Sequence, residues 1–572
     1  MEYVSLDDEK SLNDFISDIQ EKEKKVSISY CSEGYIAVTD THNALVAPRL
    51  LSQLKHIAPF SEYSNKLIYG KNVLERIVAV EVVADKLQLF FDNGAMLEKE
   101  MVYWILSNTK FDSKCQLLAG NNHYKYIKTY PKSAYKYGDL KKLKDSGRDF
   151  YTVYDPKEEA MLYYGITMFK GLKTNNISVL SFDIESSGLK HNDDSKVFLI
   201  TNTFRDASGV VHKKHFRVDH YDDNDIDMID AWCKWVVEID PMVITGHNIY
   251  GYDLPYLNYC YTERSGGSGK LPIGKHGDRI SVANKPSSKR VDGSTEWQYH
   301  KISCYGRSII DGLFLAVNYD IGRKYVSWGL KQIAEQEGFI APDRQFYDAS
   351  QIYKNWYIPE EREKIVAYGI ADSDDSLALY DLMVPSMFYS TMSVAKPYQT
   401  MGTSASGAQI NSILVRAYLQ DMESIPKAED SRPVGGGISF GIHGIHKNVM
   451  KIDVASLYPS IIRSKKLFSA KKDPHQYYLK MVDFFTIERF KNKKLYKTTK
   501  DKYYDDLQAS QKVFINSAYG VTGTPGLNFN DFAIANEITR TGREIIKTSI
   551  EWATSKKLKD WFPEYDETKD SL

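Results

Sequence analysis

The stretch Ile177-Ser-Val-Leu-Ser-Phe-Asp-Ile-Glu-Ser-Ser-Gly188 constrains the fold most. Its apolar run before Asp183 reads as a central strand. Side chains two apart on a strand project to one face. Asp183 and Glu185 therefore stand together, and Ile184 points away. Two carboxylates on one face repel unless cations sit between them, and such oxygen ligands suit Mg²⁺ or Mn²⁺. An exposed edge strand with two solvated acids is the competing account. The apolar flanks Val179, Leu180 and Phe182 argue against it.

Two further acidic stretches follow. In Ile244-Thr-Gly-His-Asn-Ile-Tyr-Gly-Tyr-Asp-Leu-Pro-Tyr-Leu257 a strand-like run leads into a loop, and Pro255 allows a helix to start near Asp253. Asn248 and Asp253 would flank a loop beside the first pair. Alone this is a loop with a helix cap. In Ile365–Tyr380, Tyr368 and Asp372 are four apart and share a helix face. A phenol beside a metal-ligating carboxylate orients an attacking water. Asp374 and Asp375 point elsewhere on the wheel and read as solvated.

The second half of the chain carries a different pattern. Lys451-Ile-Asp-Val-Ala-Ser-Leu-Tyr-Pro-Ser-Ile-Ile462, preceded by Val449 and Met450, reads as a buried strand ending in Asp453. A buried carboxylate costs several kcal/mol unless a metal or cation pairs with it. A strand-ending Asp that caps the next helix is the alternative. Residues Lys465 to Lys512 are basic with helical period, and Arg489 and Lys493 lie one turn apart. Lys491 or Lys494 fit an alternative register. Lys512, Asn516 and Tyr519 fall at i, i+4 and i+7, one stripe. A cation, an amide and an aromatic on one stripe suit phosphate, sugar and base. A generic amphipathic helix would place apolar residues there. Gly520 and Gly523 read as ending this helix. In Ser431-Arg-Pro-Val-Gly-Gly-Gly-Ile-Ser-Phe440 the glycines permit close backbone approach to phosphate.

At 572 residues the chain has room for roughly three or four domains. Its charges balance, with a net charge of −1 and pI ≈ 6.9, so nucleic-acid affinity must come from local patches. The cysteines, Cys31, Cys115, Cys233, Cys260 and Cys304, have no metal or redox spacing and read as reduced cytosolic thiols. The N-terminus lacks the regions of a signal peptide, and no apolar run is long enough for a bilayer. Up to about Asn176, β-rich runs (Lys25–Ser29, Ile77–Val83, Leu87–Phe91) alternate with amphipathic helices, and Phe91-Asp-Asn-Gly94 signals a hairpin. The basic stretch Lys136–Arg148 fits phosphate contact and a solvated helix face equally. Arg264–Thr295 reads as an exposed, mobile insertion that could brush nucleic acid, with a plain surface loop the favoured alternative. Asp311 follows an Ile-Ile pair in Tyr305–Val317. Helices are expected over Val326–Gly338, within Met387–Met422, and over Thr539–Trp552 with Arg540 and Arg543.

Asp453-x-x-Ser-Leu-Tyr-Pro-Ser460 resembles motif A of the family-B DNA polymerases, and Lys512-x-x-x-Asn-Ser-x-Tyr-Gly520 resembles motif B. Asp183, Glu185, Asp253 and Tyr368-x-x-x-Asp372 are similar to that family's three exonuclease motifs. The spacing looks most like the T-even-type bacteriophage branch. The resemblance implies an α+β and α/β multidomain chain. It would have an N-terminal mixed domain over 1–176 and a ribonuclease-H-like 3′→5′ exonuclease over 177–385. A helical return would span 386–430, the first part of a palm 431–478, and helical fingers 479–545. The start of a second palm segment would fall in 546–572. The exonuclease acids would hold two metals, Mg²⁺ or Mn²⁺, about 4 Å apart, one activating water and one steadying the leaving oxygen.

Carried over residue by residue, Asp453 and the Val454 carbonyl are ligands of a second metal pair. Ser456 and Leu457 face the triphosphate, and Tyr458 packs under the sugar and excludes a 2′ hydroxyl. Arg489, Lys493, Lys512 and Asn516 bind the nucleotide. Asn248, Gly435, Gly436, Tyr519 and Gly520 contact DNA. The sequence departs from the family twice. The tyrosine of its Tyr-x-Gly-Gly segment is absent beside Arg432, Pro433 and Val434, which puts the partition between synthesis and editing in doubt. The second acidic strand, Tyr-Gly-Asp-Thr-Asp, does not occur, and the sequence stops near where it would begin. The expectation is therefore a natural split or a truncated product: the N-terminal subunit of a replicative polymerase. Its partners would be primer-template DNA, dNTPs and a second polypeptide bearing that strand and the thumb, with a sliding clamp reached through it. The setting would be cytoplasmic, the host's if the source is viral, with no membrane partner. The alternatives are a stand-alone exonuclease with a vestigial polymerase part and a non-enzymatic DNA-binding replisome module.

Overall fold

The computed structural model describes residues 4–563 and 565, except 22–25, 32–33, 39–42, 48, 51–62, 193, 265–268, 292–294, 341–343, 434 and 440. Lys25, Val434, Phe440 and the last residues, 566–572, lie outside the described residues. The architecture is mixed α/β and multidomain.

The N-terminal part stacks three small sheets. A four-stranded sheet spans Val4–Leu6 to Asn43–Val46. A meander joins Ile77–Val83, Lys86–Phe91 and Met96–Glu100. Its second turn is the expected hairpin, with Gly94 at φ 84° supplying the left-handed residue. A third sheet is built around Tyr103–Ser107 and Tyr126–Tyr130. The basic stretch forms the helix Ser133–Asp145. Lys136 does not face solvent: it is buried against Glu159 at 2.8 Å and the Val153 carbonyl.

The second part is a five-stranded sheet. Its strands are β1 (Val179–Ser186), β2 (Val197–Arg205), β3 (Val211–Arg217), β4 (Val243–Gly246) and β5 (Ser308–Asp311), ordered β3-β2-β1-β4-β5. β1 lies inside the sheet, antiparallel to β2 and parallel to β4. Leu180, Phe182 and Ile184 are buried, which is why the acids beside them cannot be an exposed edge. Helices α1 (Asp225–Ile239), α2 (Asp253–Arg264), α3 (Gly312–Tyr319) and α4 (Leu330–Glu337) surround the sheet. The expected mobile insertion is in part ordered. Ser287–Arg290 pairs with Glu296–Tyr299 as a hairpin, and buried Lys289 reaches Asn318 at 2.6 Å. Leu271, Ile273 and Ile280 are buried as well, apolar anchors that the Gly/Ser-rich composition hides.

One long helix, α5 (Pro359–Thr391), crosses from the sheet to the C-terminal half. It continues through Pro385, so the chain changes direction after Thr391. Proline there removes a single helical donor, and Val384 and Phe388 remain buried around it. The C-terminal half is helical: α6 (Ser406–Gln420), α7 (Leu457–Ser464), α8 (Tyr477–Thr499), α9 (Lys502–Gly523) and α10 (Phe532–Thr554). α8 and α9 form an antiparallel pair. Lys500 turns the chain at φ 58°, Asp501 caps α9 through Tyr503 N–H at 3.0 Å, and Phe485 packs on Phe514. α9 runs through Gly520 and ends at Gly523, since one glycine costs only about 1 kcal/mol in a packed helix.

The expected buried strand before Asp453 does not form. Val449 and Met450 are 75% and 77% exposed, and residues 449–454 have no regular structure. A strand is stable only when a neighbour takes its backbone hydrogen bonds. Among the described residues every sheet lies N-terminal to Gly312, and none runs beside this segment.

Candidate active site

β1 and α5 bring Asp183, Glu185 and Asp372 together, with carboxylate oxygens within 4.8 Å of one another. Thr201 on β2 fastens α5 to the sheet by donating to the Gly369 carbonyl at 2.8 Å, and a Cβ at Gly369 would meet Thr201 at 3.0 Å. That close approach sets the depth at which Asp372 meets the strand. Asp253 lies outside this cluster. It sits at the start of α2 and accepts the Ile184 N–H at 3.2 Å, between the two acids of β1.

Burial and mutual repulsion hold the carboxyls of Asp183 and Glu185 well above the usual range. Burial pushes Asp253 up to about 7 and Asp311 up to about 6. In acids raised in this way, burial and mutual repulsion outweigh the positive charge beside them. Hard oxygen donors at this spacing fit divalent cations such as Mg²⁺ or Mn²⁺. Asp183, Glu185 and Asp372 would hold the ion, and bound there it would supply a water of lowered pKa.

The pH consequence has a definite sign. A carboxyl raised in the fold keeps its proton where the unfolded chain has lost it. Metal-free stability contributed by these groups therefore falls as pH rises above about 4, through about 6 for Asp311 and about 7 for Asp253. Thermal unfolding in EDTA should show this fall, and Mg²⁺ or Mn²⁺ at pH 7.5 should reverse it. In the Asp183→Asn/Glu185→Gln variant the slope should flatten. An unchanged slope in that variant contradicts the assignment.

Two cations already stand at the cluster, and sequence reasoning missed both. Lys331 of α4 bonds the Tyr368 hydroxyl, lies over its ring at 4.3 Å, and comes within 3.9 Å of Asp372. Arg344, buried, bonds Asp372 and pairs with Asp375. Asp375 is thus buried and paired, and Asp374 bonds Thr203 at 2.6 Å and Lys213 at 2.5 Å, so neither is simply solvated. Nothing in the local sequence around Lys331 or Arg344 marks them, because their partners lie on α5. Tyr368 is buried beside Asp372, and desolvation together with the nearby acids keeps its phenol protonated.

Asp311, at the end of β5, organises the loop between β4 and α2. It accepts the backbone N–H groups of Asn248 at 3.0 Å, Tyr250 at 2.9 Å and Leu313 at 2.8 Å. Asn248, exposed, takes φ 65°, a left-handed turn that these bonds hold. Asp311→Ala strands three donors, two of them in the loop that leads to Asp253. The expected loss is about 3 kcal/mol by denaturant unfolding. A loss below about 1 kcal/mol contradicts the role.

The second group of expected site residues lies on α7, α8 and α9 and in the segments ahead of α7. Asp453 and Val454 are exposed. Ser456, in left-handed conformation at φ 52°, opens α7 and accepts from Arg489 Nη1 at 2.8 Å. Tyr458 packs on Tyr519 with ring centres 5.0 Å apart. Leu457 and Tyr458 both lie against Gly542 of α10. Arg489 on α8 is half-buried, with Nε lacking a partner among the described residues. Lys493 on α8 and Lys512 and Asn516 on α9 are exposed, while Tyr519 and Gly520 are half-buried. The bond to Ser456 brings Arg489 to the Asp453–Ser460 stretch. Gly435 and Gly436 are exposed and lie against α10.

Residues 159–333 match the model of "DNA polymerase family B, exonuclease domain", and residues 480–569 match that of "DNA polymerase family B". DNA polymerase 2 of Aeropyrum pernix is 25% identical over 417 residues, 67% of this chain and 48% of the relative. The DNA polymerase delta catalytic subunit of Caenorhabditis elegans is 24% identical over 368 residues, 56% of this chain and 32% of the relative. The chain thus spans about half or less of these relatives. The solved family-B DNA polymerase of Pyrobaculum calidifontis superposes with a TM-score of 0.64 at 18% identity, over 84% of this chain and 72% of that one, a likeness of fold. No helix among the described residues is long and apolar enough to cross a membrane.

Proposed function

We propose that this chain, which matches the exonuclease-domain model of the family-B DNA polymerases over 159–333 and their polymerase model over 480–569, is a member of that family that removes nucleotides from DNA 3′ ends and holds half of a templated nucleotidyl-transfer site. The observation that carries the first activity is the triad of half-buried Asp183 with buried Glu185 and Asp372, with Tyr368 beside it. Tyr368 keeps its proton, so it donates toward an attacking water and orients it, and Lys331 fixes the ring. Lys331 and Arg344 balance charge beside a phosphodiester. Asp253 steadies β1 from behind through the Ile184 N–H.

For the second activity, Asp453, with the Val454 carbonyl, supplies half of a two-metal site. Ser456, Leu457, Arg489, Lys493, Lys512 and Asn516 face the dNTP, and Tyr458, stacked on Tyr519, stands under its sugar. The unmatched Arg489 Nε is a donor ready for an anion. The exposed apolar run Val449, Met450, Ile452 and Val454 supports completion by a strand from outside the described residues. We assign that strand, with its second acidic pair and the thumb, to a second polypeptide, and place any clamp contact on it. Two metals per site, cytoplasmic action, the proposed domain bounds and the T-even-type branch belong to the same reading. The branch rests on motif spacing, whereas the relatives named above are archaeal and eukaryotic.

The exposed, unpaired Asp453 segment equally favours an exonuclease with a vestigial polymerase part, so the test must separate the two. Purified chain with Mg²⁺ or Mn²⁺ should shorten a 5′-labelled single-stranded oligonucleotide stepwise from its 3′ end. Absence of that ladder removes the exonuclease. Extension in the presence of the complementing half removes the vestigial reading.

A further inference from the structure

The 435–437 segment is fastened to one face of α10. Gly435 N–H donates to Asn536 Oδ1 at 2.8 Å, and Arg543 Nη1 donates to the Gly436 carbonyl at 2.6 Å. Asn536 and Arg543 are seven apart, two turns along one stripe. The fit is close at both ends. A Cβ on Gly435 would stand 3.3 Å from Arg543 Nη1, and one on Gly437 would stand 3.5 Å from the Tyr458 hydroxyl. Gly542, next to Arg543, lets the Tyr458 ring approach, since a Cβ there would lie 3.1 Å from Cε1. The same helix therefore carries the glycine segment on its Asn536–Arg543 stripe and, at neighbouring Gly542, the ring assigned to the sugar.

The tyrosine expected ahead of these glycines is absent, and Ser431, Arg432 and Pro433 are exposed. Any hold on the segment must then come from elsewhere, and α10 supplies it. We propose that Asn536 and Arg543 are positioning residues that hold the glycine segment over Tyr458 and so set how a DNA 3′ end divides between the two sites. This rests on the two-site reading above. The charged guanidinium on a carbonyl is the stronger of the two bonds. With both bonds gone, the segment leaves Tyr458 and no longer retains a paired end on the synthesis side.

The test uses the full chain, the Asn536→Ala/Arg543→Ala variant, and Arg543→Lys as the conservative change. Hydrogen exchange is followed in peptides spanning 428–446. Degradation is followed with Mg²⁺ on a single-stranded oligonucleotide and on a fully paired primer-template. In the double variant, exchange at the glycines should accelerate at least fivefold. The rate on paired ends relative to single-stranded ends should rise at least threefold, with the single-stranded rate within twofold of the original. Arg543→Lys, which keeps a cation on the carbonyl, should restore most of both. Unchanged exchange overturns the fastening. Faster exchange with an unchanged ratio overturns the positioning role. If the unaltered chain degrades neither DNA, the two-site reading fails and takes the positioning role with it, while the exchange data still report whether α10 holds the segment.

Discussion

Replacing Asp183 and Glu185 together with alanine should lower degradation of single-stranded 3′ ends by about 10³-fold or more, since metal and water activation supply several kcal/mol of such a barrier. The same change should raise the stability of the metal-free protein. It removes two carboxyls that burial and mutual repulsion disfavour at neutral pH. Together the two effects separate a functional cluster from a structural one: a cluster kept for folding would lose stability when cut. Thermal unfolding in EDTA, read beside the rate, checks both. Loss of activity together with lower metal-free stability would mean that the acids hold the sheet together, and the site assignment would fail.

Asp453→Ala should be the second large effect, seen only when the synthesis site is complete. With the complementing half present, primer extension should fall by about 10³-fold or more if Asp453 has the proposed role of a ligand in a two-metal site. Single-stranded 3′ degradation should remain unchanged, since Asp453 lies outside the acidic cluster on β1 and α5. Stability should also change little. Asp453 is exposed, and surface substitutions of this kind usually stay within about 0.5 kcal/mol. Extension that survives Asp453→Ala contradicts the assignment of motif A.

What was legible in the sequence follows from range. Asp183 and Glu185 sit two apart in an apolar run, and Tyr368 and Asp372 four apart on a helix, so local period placed each pair on one face. The strand Ile77–Val83 and the Asn93-Gly94 turn were legible for the same reason. Lys331 and Arg344 were not. Each is a lone cation in an unremarkable stretch, and only the packing of α4 and the 344–347 segment on α5 gives it meaning. Asp375 was misread because helical spacing says which way a side chain points, not what lies there. The Lys451–Asp453 stretch fails for the opposite reason. Its composition is that of a strand, but β structure needs a neighbour, and the described residues offer none. Composition also misled over 269–299, where a few apolar anchors among glycines and serines were enough to order a hairpin.

The central proposal is that Asp453 and its neighbours act in nucleotidyl transfer once a second acidic strand is supplied. Primer extension tests it most directly, with this chain alone and with a polypeptide supplying the second acidic strand and thumb, under the same Mg²⁺ and dNTPs. The account predicts no extension by the chain alone and extension on mixing. Robust copying by the isolated chain, or no copying by any such mixture, would contradict it.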